Sequence, residues 1–108
     1  MIVTDKNVSD ALGYLADSSA AAEARFNATK AENKTKETFA RLYLSFTGPV
    51  AERESRAIAS PEYQEALSLE AEAGKELEYH KSRARAAEML IECWRTEQSN
   101  IRAAERVR

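Results

Sequence analysis

Two short breaks, Thr47-Gly48-Pro49 and Ser60-Pro61, are the strongest punctuation in a chain of 108 residues, and helix-forming sequence surrounds them. Gly48 suits the end of one helix, and Pro49 suits the first turn of the next. Ser60 followed by Pro61 and Glu62 is a helix start: an N-cap, a proline at the first position, an acid in the first turn. The breaks divide the chain into a long segment of about 4–46, a short one at 49–59 and a second long one at 61–106. The first can be capped by Thr4 and Asp5, and Val8, Leu12, Leu15, Ala22 and Phe26 recur in it at helical spacing. A softer stretch around Asn33 follows before Phe39, Leu42 and Phe46 resume the stripe, and no glycine or proline forces a break there. If continuous, this helix is about 60 Å long. The last segment carries the stripe Ala66, Leu69, Ala73, Leu77, His80, Ala84, Ala87, Ile91, Trp94 and Ile101, interrupted only by Gly74, and spans nearly 70 Å as a helix.

Two long helices joined by a short one predict an all-α fold, an antiparallel long-helix hairpin with a short connecting helix. Charge layout predicts the same pairing. Residues 1–24 are net −3 and 25–46 net +3; residues 61–80 are net −5 and 81–108 net +3. Folded back antiparallel, each block meets its opposite, within one chain or between subunits. Of the apolar residues 20 are alanine, so few large side chains remain to build a core. A lone hairpin so poor in bulk is expected to complete itself as an oligomeric helical bundle, a dimer or higher. Phe26, Phe39, Leu42, Phe46, Leu77, Ile91 and Trp94 are the expected interface.

Little in the sequence suggests chemistry. One cysteine and one histidine exclude a Cys/His zinc site within a single chain. His80 lies on the apolar stripe and reads as a packed histidine. Glu88 and Glu92 lack the Glu-x-x-His repeats of a di-iron bundle, and Cys93 reads as a packed thiol. There is no phosphate loop, nucleophile elbow or Cys-x-x-Cys pair. The expectation is a protein that is not an enzyme, with no cofactor, metal or small-molecule substrate. No apolar run suits a membrane span, and the N-terminus lacks a signal-peptide core, so a cytoplasmic location is expected and the sequons at Asn27 and Asn33 are chance matches.

Basic stripes are the remaining candidates. Lys30, Lys34 and Arg41, with Lys36 nearby, lie along the first helix; Arg95, Arg102 and Arg106 share a line on the last. They could follow a nucleic-acid backbone, with Tyr43 or Tyr63 stacking on bases. The alternative is that each stripe serves an acidic neighbour or a helix C-terminus.

Val50-Ala51-Glu52-Arg53-Glu54, Ala59-Ser60-Pro61-Glu62-Tyr63, Glu92 to Arg95 and Ser99-Asn100 resemble small helical proteins encoded by phages and prophages, most without an assigned activity. Ala40-Arg41-Leu42-Tyr43-Leu44-Ser45 before a glycine-containing loop, then a long helix with an aromatic and a cysteine, is similar to the UvsY-type recombination mediators of large phages. The similarity covers about residues 36–102. It implies an oligomer in the host cytoplasm that helps load a recombinase on single-stranded DNA covered by single-strand-binding protein. In those mediators DNA-contacting bases precede the Leu and Tyr before the loop. Arg41 matches one of them, Phe39 stands where a second is expected, and Lys34 or Lys36 would substitute. The leading expectation is thus an accessory protein of DNA recombination or replication that binds single-stranded DNA weakly. The alternatives are an inhibitor or adaptor holding a host protein without DNA, and a structural oligomer of an assembly complex.

Overall fold

A computed structural model describes residues 3–107. Among these the chain forms α1 (Asp5–Ala16), α2 (Ser19–Ser45), α3 (Val50–Ala59) and α4 (Pro61–Val107), with no strand. The all-α class and the long-helix hairpin with its short connecting helix follow from the sequence as expected. None of the described helices is long and apolar enough to cross a membrane.

The expected punctuation forms for the expected reasons. Thr4 caps α1, its Oγ1 accepting the Asn7 N–H at 3.2 Å. Gly48 takes φ +118°, a backbone conformation that favours glycine. Pro49 stands just before α3 rather than inside its first turn. Gly74 leaves α4 unbroken.

The first long segment is not one helix. It breaks at Asp17-Ser18, far from Asn33, and no glycine or proline causes it. The Asp17 N–H bonds back to the Gly13 carbonyl at 3.0 Å, closing α1. The Asp17 carboxylate then accepts both the N–H and the hydroxyl of Ser19, at 3.2 and 2.7 Å, opening α2. These bonds hold the Asp17 carboxyl below its ordinary value, because they favour its charged form. An aspartate that bonds the backbone two residues on competes with the helix and here wins.

The chain packs as two compact units, one of Met1–Ala20 with Tyr79–Arg108 and one of Ala21–Glu78. In the first, α1 runs antiparallel to the C-terminal half of α4: the Val3 N–H reaches Glu97 at 3.4 Å, and Tyr14 reaches His80. Its core is Ala11, Ala87 and Ile91, with Tyr14, Leu15 and Leu90 packed against it. In the second, α2 runs antiparallel to the start of α4, with Arg41 bonded to Glu62 and Thr35 to the Ala66 carbonyl.

The buried seams differ from the stripes expected from large apolar residues. On α4 the covered positions include 66, 70, 73, 77, 80, 84, 87, 91, 94 and 98, an alternation of fours and threes, with 63, 74, 90 and 97 partly covered as well. Glu70 occupies the position expected of Leu69, which is 58% exposed, and Ile101 is exposed as well. On α2 the covered positions are Ala21, Ala24, Ala28, Ala31, Thr35, Thr38 and Leu42, with Phe39 and Tyr43 partly covered near its end, while Ala22 and Phe26 are exposed. On α1, Val8 and Ala11 are buried and Leu12 is exposed. Seam positions of this size let helix axes approach closely. Thr35 fits this geometry: its hydroxyl contacts the Ala31 carbonyl of its own helix at 3.0 Å and the Ala66 carbonyl of α4 at 3.3 Å.

Candidate functional site

The narrow seam of the second unit has a direct consequence. The seam, mostly alanine and threonine on its α2 side, includes neither Phe26 nor Leu69. Both are exposed, Phe26 at 62% and Leu69 at 58%. Together with Ala31 and Ala66 they line an apolar groove of about 760 Å³, with Lys30 and Lys34 on its α2 side. Reading the chain by its largest apolar residues misses this groove. The signal that finds it is the run of small residues at 21, 24, 28 and 31 continuing through Thr35 and Thr38 to Leu42, which excludes Phe26 from the seam and leaves Leu69 one position outside it.

The bases expected to contact DNA are placed differently. Arg41 bonds Glu62 at 2.7 Å, Lys36 pairs with Glu32 at 3.3 Å and Lys34 with Glu37 at 3.8 Å. Lys30 is exposed and forms no ion pair among the described residues. Arg95 bonds Glu92 at 3.0 Å, Arg102 donates to the Gln98 carbonyl at 3.4 Å, and Arg106 is exposed. Tyr43 is half-buried. Phe39 stacks on it at 6.2 Å, the Arg53 guanidinium lies 4.1 Å from its ring centre, and Tyr63 packs edge-on against Phe39. The structure thus assembles these aromatics into a cluster that fastens α3 to its neighbours.

The residues expected at an oligomer interface also divide. Leu42 and Ile91 are buried within their own units, and Phe39, Phe46, Leu77 and Trp94 are half-buried. The Arg56 guanidinium covers the Phe46 ring at 4.5 Å. Phe26 alone of the set is exposed. Leu42, Leu77, Ile91 and Trp94 are covered positions of the chain's own helix seams.

His80 is buried in the first unit. The Tyr14 hydroxyl lies 3.0 Å from its Nδ1 and donates to its carbonyl at 3.1 Å, and the Arg83 guanidinium lies 4.2 Å from the Tyr14 ring centre. Cys93 is exposed rather than packed. Among the described residues no group of three His, Cys, Asp or Glu side chains could hold a metal ion.

Comparison with protein families, curated proteins and solved structures gives no match. The reading of this chain therefore rests on its own geometry.

Proposed function

We propose that this chain is a non-enzymatic helical binding protein that works by holding another protein along the Phe26–Leu69 groove, without DNA. The observation that carries the reading is the contrast between the two candidate surfaces of the second unit. The groove is lined by a phenylalanine and a leucine that are each more than half exposed, and exposed apolar surface in a groove is a recognition feature. Arg41, Lys34 and Lys36, which would have to neutralise phosphates, hold carboxylates instead.

A nucleic-acid reading keeps one supporting observation. These ion pairs are exposed, each is worth at most about 1 kcal/mol, and Lys30 stands beside them unpaired among the described residues. A phosphate backbone could displace such weak partners. That reading makes the chain a phage-type accessory protein of DNA recombination, as the resemblance in residues 36–102 implies.

Fluorescence anisotropy of a labelled single-stranded oligonucleotide, titrated at low and moderate salt, separates the two. We expect no saturable binding. Capture from a nuclease-treated host lysate should instead retain a stoichiometric protein that Phe26→Asp releases. Oligonucleotide binding that weakens steeply with salt, as counterion release requires, and that disappears with Arg41→Ala would overturn the proposal in favour of the recombination role.

A further inference from the structure

We infer that the Asp17–Ser19 turn is a two-state element that decides which face of the N-terminal helix is covered. Closed, it seats α1 on α4. Opened, it lets α1 and α2 join into one helix over residues 5–45, and the apolar face of α1 then stands opposite the α2 seam. The inference does not depend on what the groove holds.

Rotational phase carries the inference. In a continuous helix each residue advances about 100° around the axis. Counted from Leu15, the residues Val8, Ala11, Ala22 and Phe26 all fall within about 40° of one line. The α2 seam, from Ala21 through Ala24 and Thr35 to Leu42, falls at least about 120° from that line. In the first unit Val8 and Ala11 are buried and Leu15 packs against the core. In the second the α2 seam is covered, while Ala22 and Phe26 are exposed. Each face meets α4 within its own unit, and α4 is unbroken. One straight helix cannot present two opposed faces to one neighbour, so the interruption at Asp17-Ser18 is what lets both be covered.

Little holds that interruption locally. Asp17 takes φ −96° and ψ 90°, and its carboxylate accepts the N–H and hydroxyl of Ser19. Both residues are exposed, and residues 14–22 contain no glycine or proline. Ala20-Ala21-Ala22, immediately after, is the strongest helix-forming sequence available. Joining the helices would also pair backbone groups that two separate helix ends leave open. Opposing this are the seat of α1 on Ala87 and Ile91 and the Tyr14 contacts with His80. Once the turn opens, α2 sets the register, because its seam is the longer and the Thr35–Ala66 and Arg41–Glu62 bonds tie it down. The α1 stretch stays helical but gives up its seat. Val8, Leu15, Ala22 and Phe26 then form one uncovered line, and Phe26 ends a strip roughly 27 Å long.

The test uses the full chain carrying Asp17→Ala with Ser18→Ala. The pair removes both bonds to Ser19 and supplies two strong helix formers, which together should shift the equilibrium toward the joined helix about thirtyfold. Two NMR readings report the outcome. The Cα chemical shifts of residues 16–20 report whether the helix is continuous. Attenuation of the Val8 and Ala11 methyl signals by a soluble gadolinium chelate reports whether that face is uncovered. Relative to the unaltered chain, residues 17 and 18 should move to helical shifts while residues 5–16 keep theirs. The Val8 and Ala11 methyls should become accessible, and the Ala24 methyl should stay shielded. Asp17→Ala with Ser18→Pro removes the same carboxylate but bars a continuous helix at that point. It should return both readings to those of the unaltered chain.

Non-helical shifts at residues 17 and 18 in the double-alanine variant would overturn the inference, since packing alone would then hold the break. Helical shifts there with Ala11 still shielded would overturn the rotation. Loss of helical shifts over residues 5–16 would overturn it in favour of simple fraying of α1. Failure of the proline variant to restore the shielding of Val8 and Ala11 would do the same.

Discussion

The register of the α2–α4 seam makes an inverted prediction about which substitutions matter. Leu69 is the larger residue and lies on the stripe that periodicity suggests, yet it is 58% exposed, while Ala66 is 7% exposed. Leu69→Ala removes three carbons, worth about 2.4 kcal/mol if fully buried at ~0.8 kcal/mol each. With a little under half of the residue covered, the expected loss is about 1 kcal/mol. Ala66→Leu adds the same three carbons at a position covered by α2, where the Thr35 hydroxyl already reaches the Ala66 carbonyl at 3.3 Å. Adding carbons to a filled site costs about 1–3 kcal/mol, and separating the helices would also weaken that bond. Ala66→Leu should therefore be the more damaging change, by up to about 2 kcal/mol. Urea denaturation followed by circular dichroism, at a concentration low enough to keep the chain monomeric, measures both. A loss above about 2 kcal/mol for Leu69→Ala with a neutral Ala66→Leu would put Leu69 in the seam and refute the register.

Three further outcomes are expected. Tyr14→Phe removes the hydroxyl that meets both His80 Nδ1 and the His80 carbonyl; loss of hydrogen bonding at a buried histidine should cost about 1–2 kcal/mol in thermal denaturation, and an unchanged melting temperature would show that the contact is immaterial. The Asp17 carboxyl is held below its ordinary value by Ser19, so its contribution is complete above the unfolded-state value and is lost as pH falls through the lower, folded-state one; carboxyl NMR should place its midpoint below 3.8, and Ser19→Ala should raise that midpoint. Gly48→Ala forces a side chain into φ +118° and brings the new Cβ to 3.4 Å from the Glu52 carboxylate; the expected destabilisation is about 1–2 kcal/mol, read by the same denaturation.

The sequence made the helix ends and the pairing direction legible wherever they depend on local chemistry or on net charge. Gly48, Pro61 and the Thr4 cap act through their own backbone preferences, and the opposed charge blocks reappear as the Arg41–Glu62 contact. The break at Asp17 was hidden because it uses an aspartate and a serine, residues that sit in many unbroken helices, and depends on one side chain's competing for backbone bonds. The seam was hidden because periodicity weighted by side-chain size follows Phe26 and Leu69, whereas close helix approach selects alanine and threonine. The same displacement concealed the candidate groove. Nor does a stripe of bases reveal which of them a neighbouring carboxylate will hold; that depends on side-chain reach across the hairpin.

The turn at Asp17-Ser18 also sets how the molecule can open. It makes α1 a separate helix of 12 residues, at the lower margin of what holds helical form in water on its own. Its amides therefore owe their protection to α4, through Val8, Ala11 and Tyr14. Release of α1 would uncover Ala87 and Ile91 while the bonds joining α2 to α4 stay in place. Native-state hydrogen exchange should then resolve α1 as a cooperative block that exchanges ahead of the Thr35–Leu42 stretch of α2. An equilibrium of this kind gives the chain two folding units that share a helix yet open on different clocks.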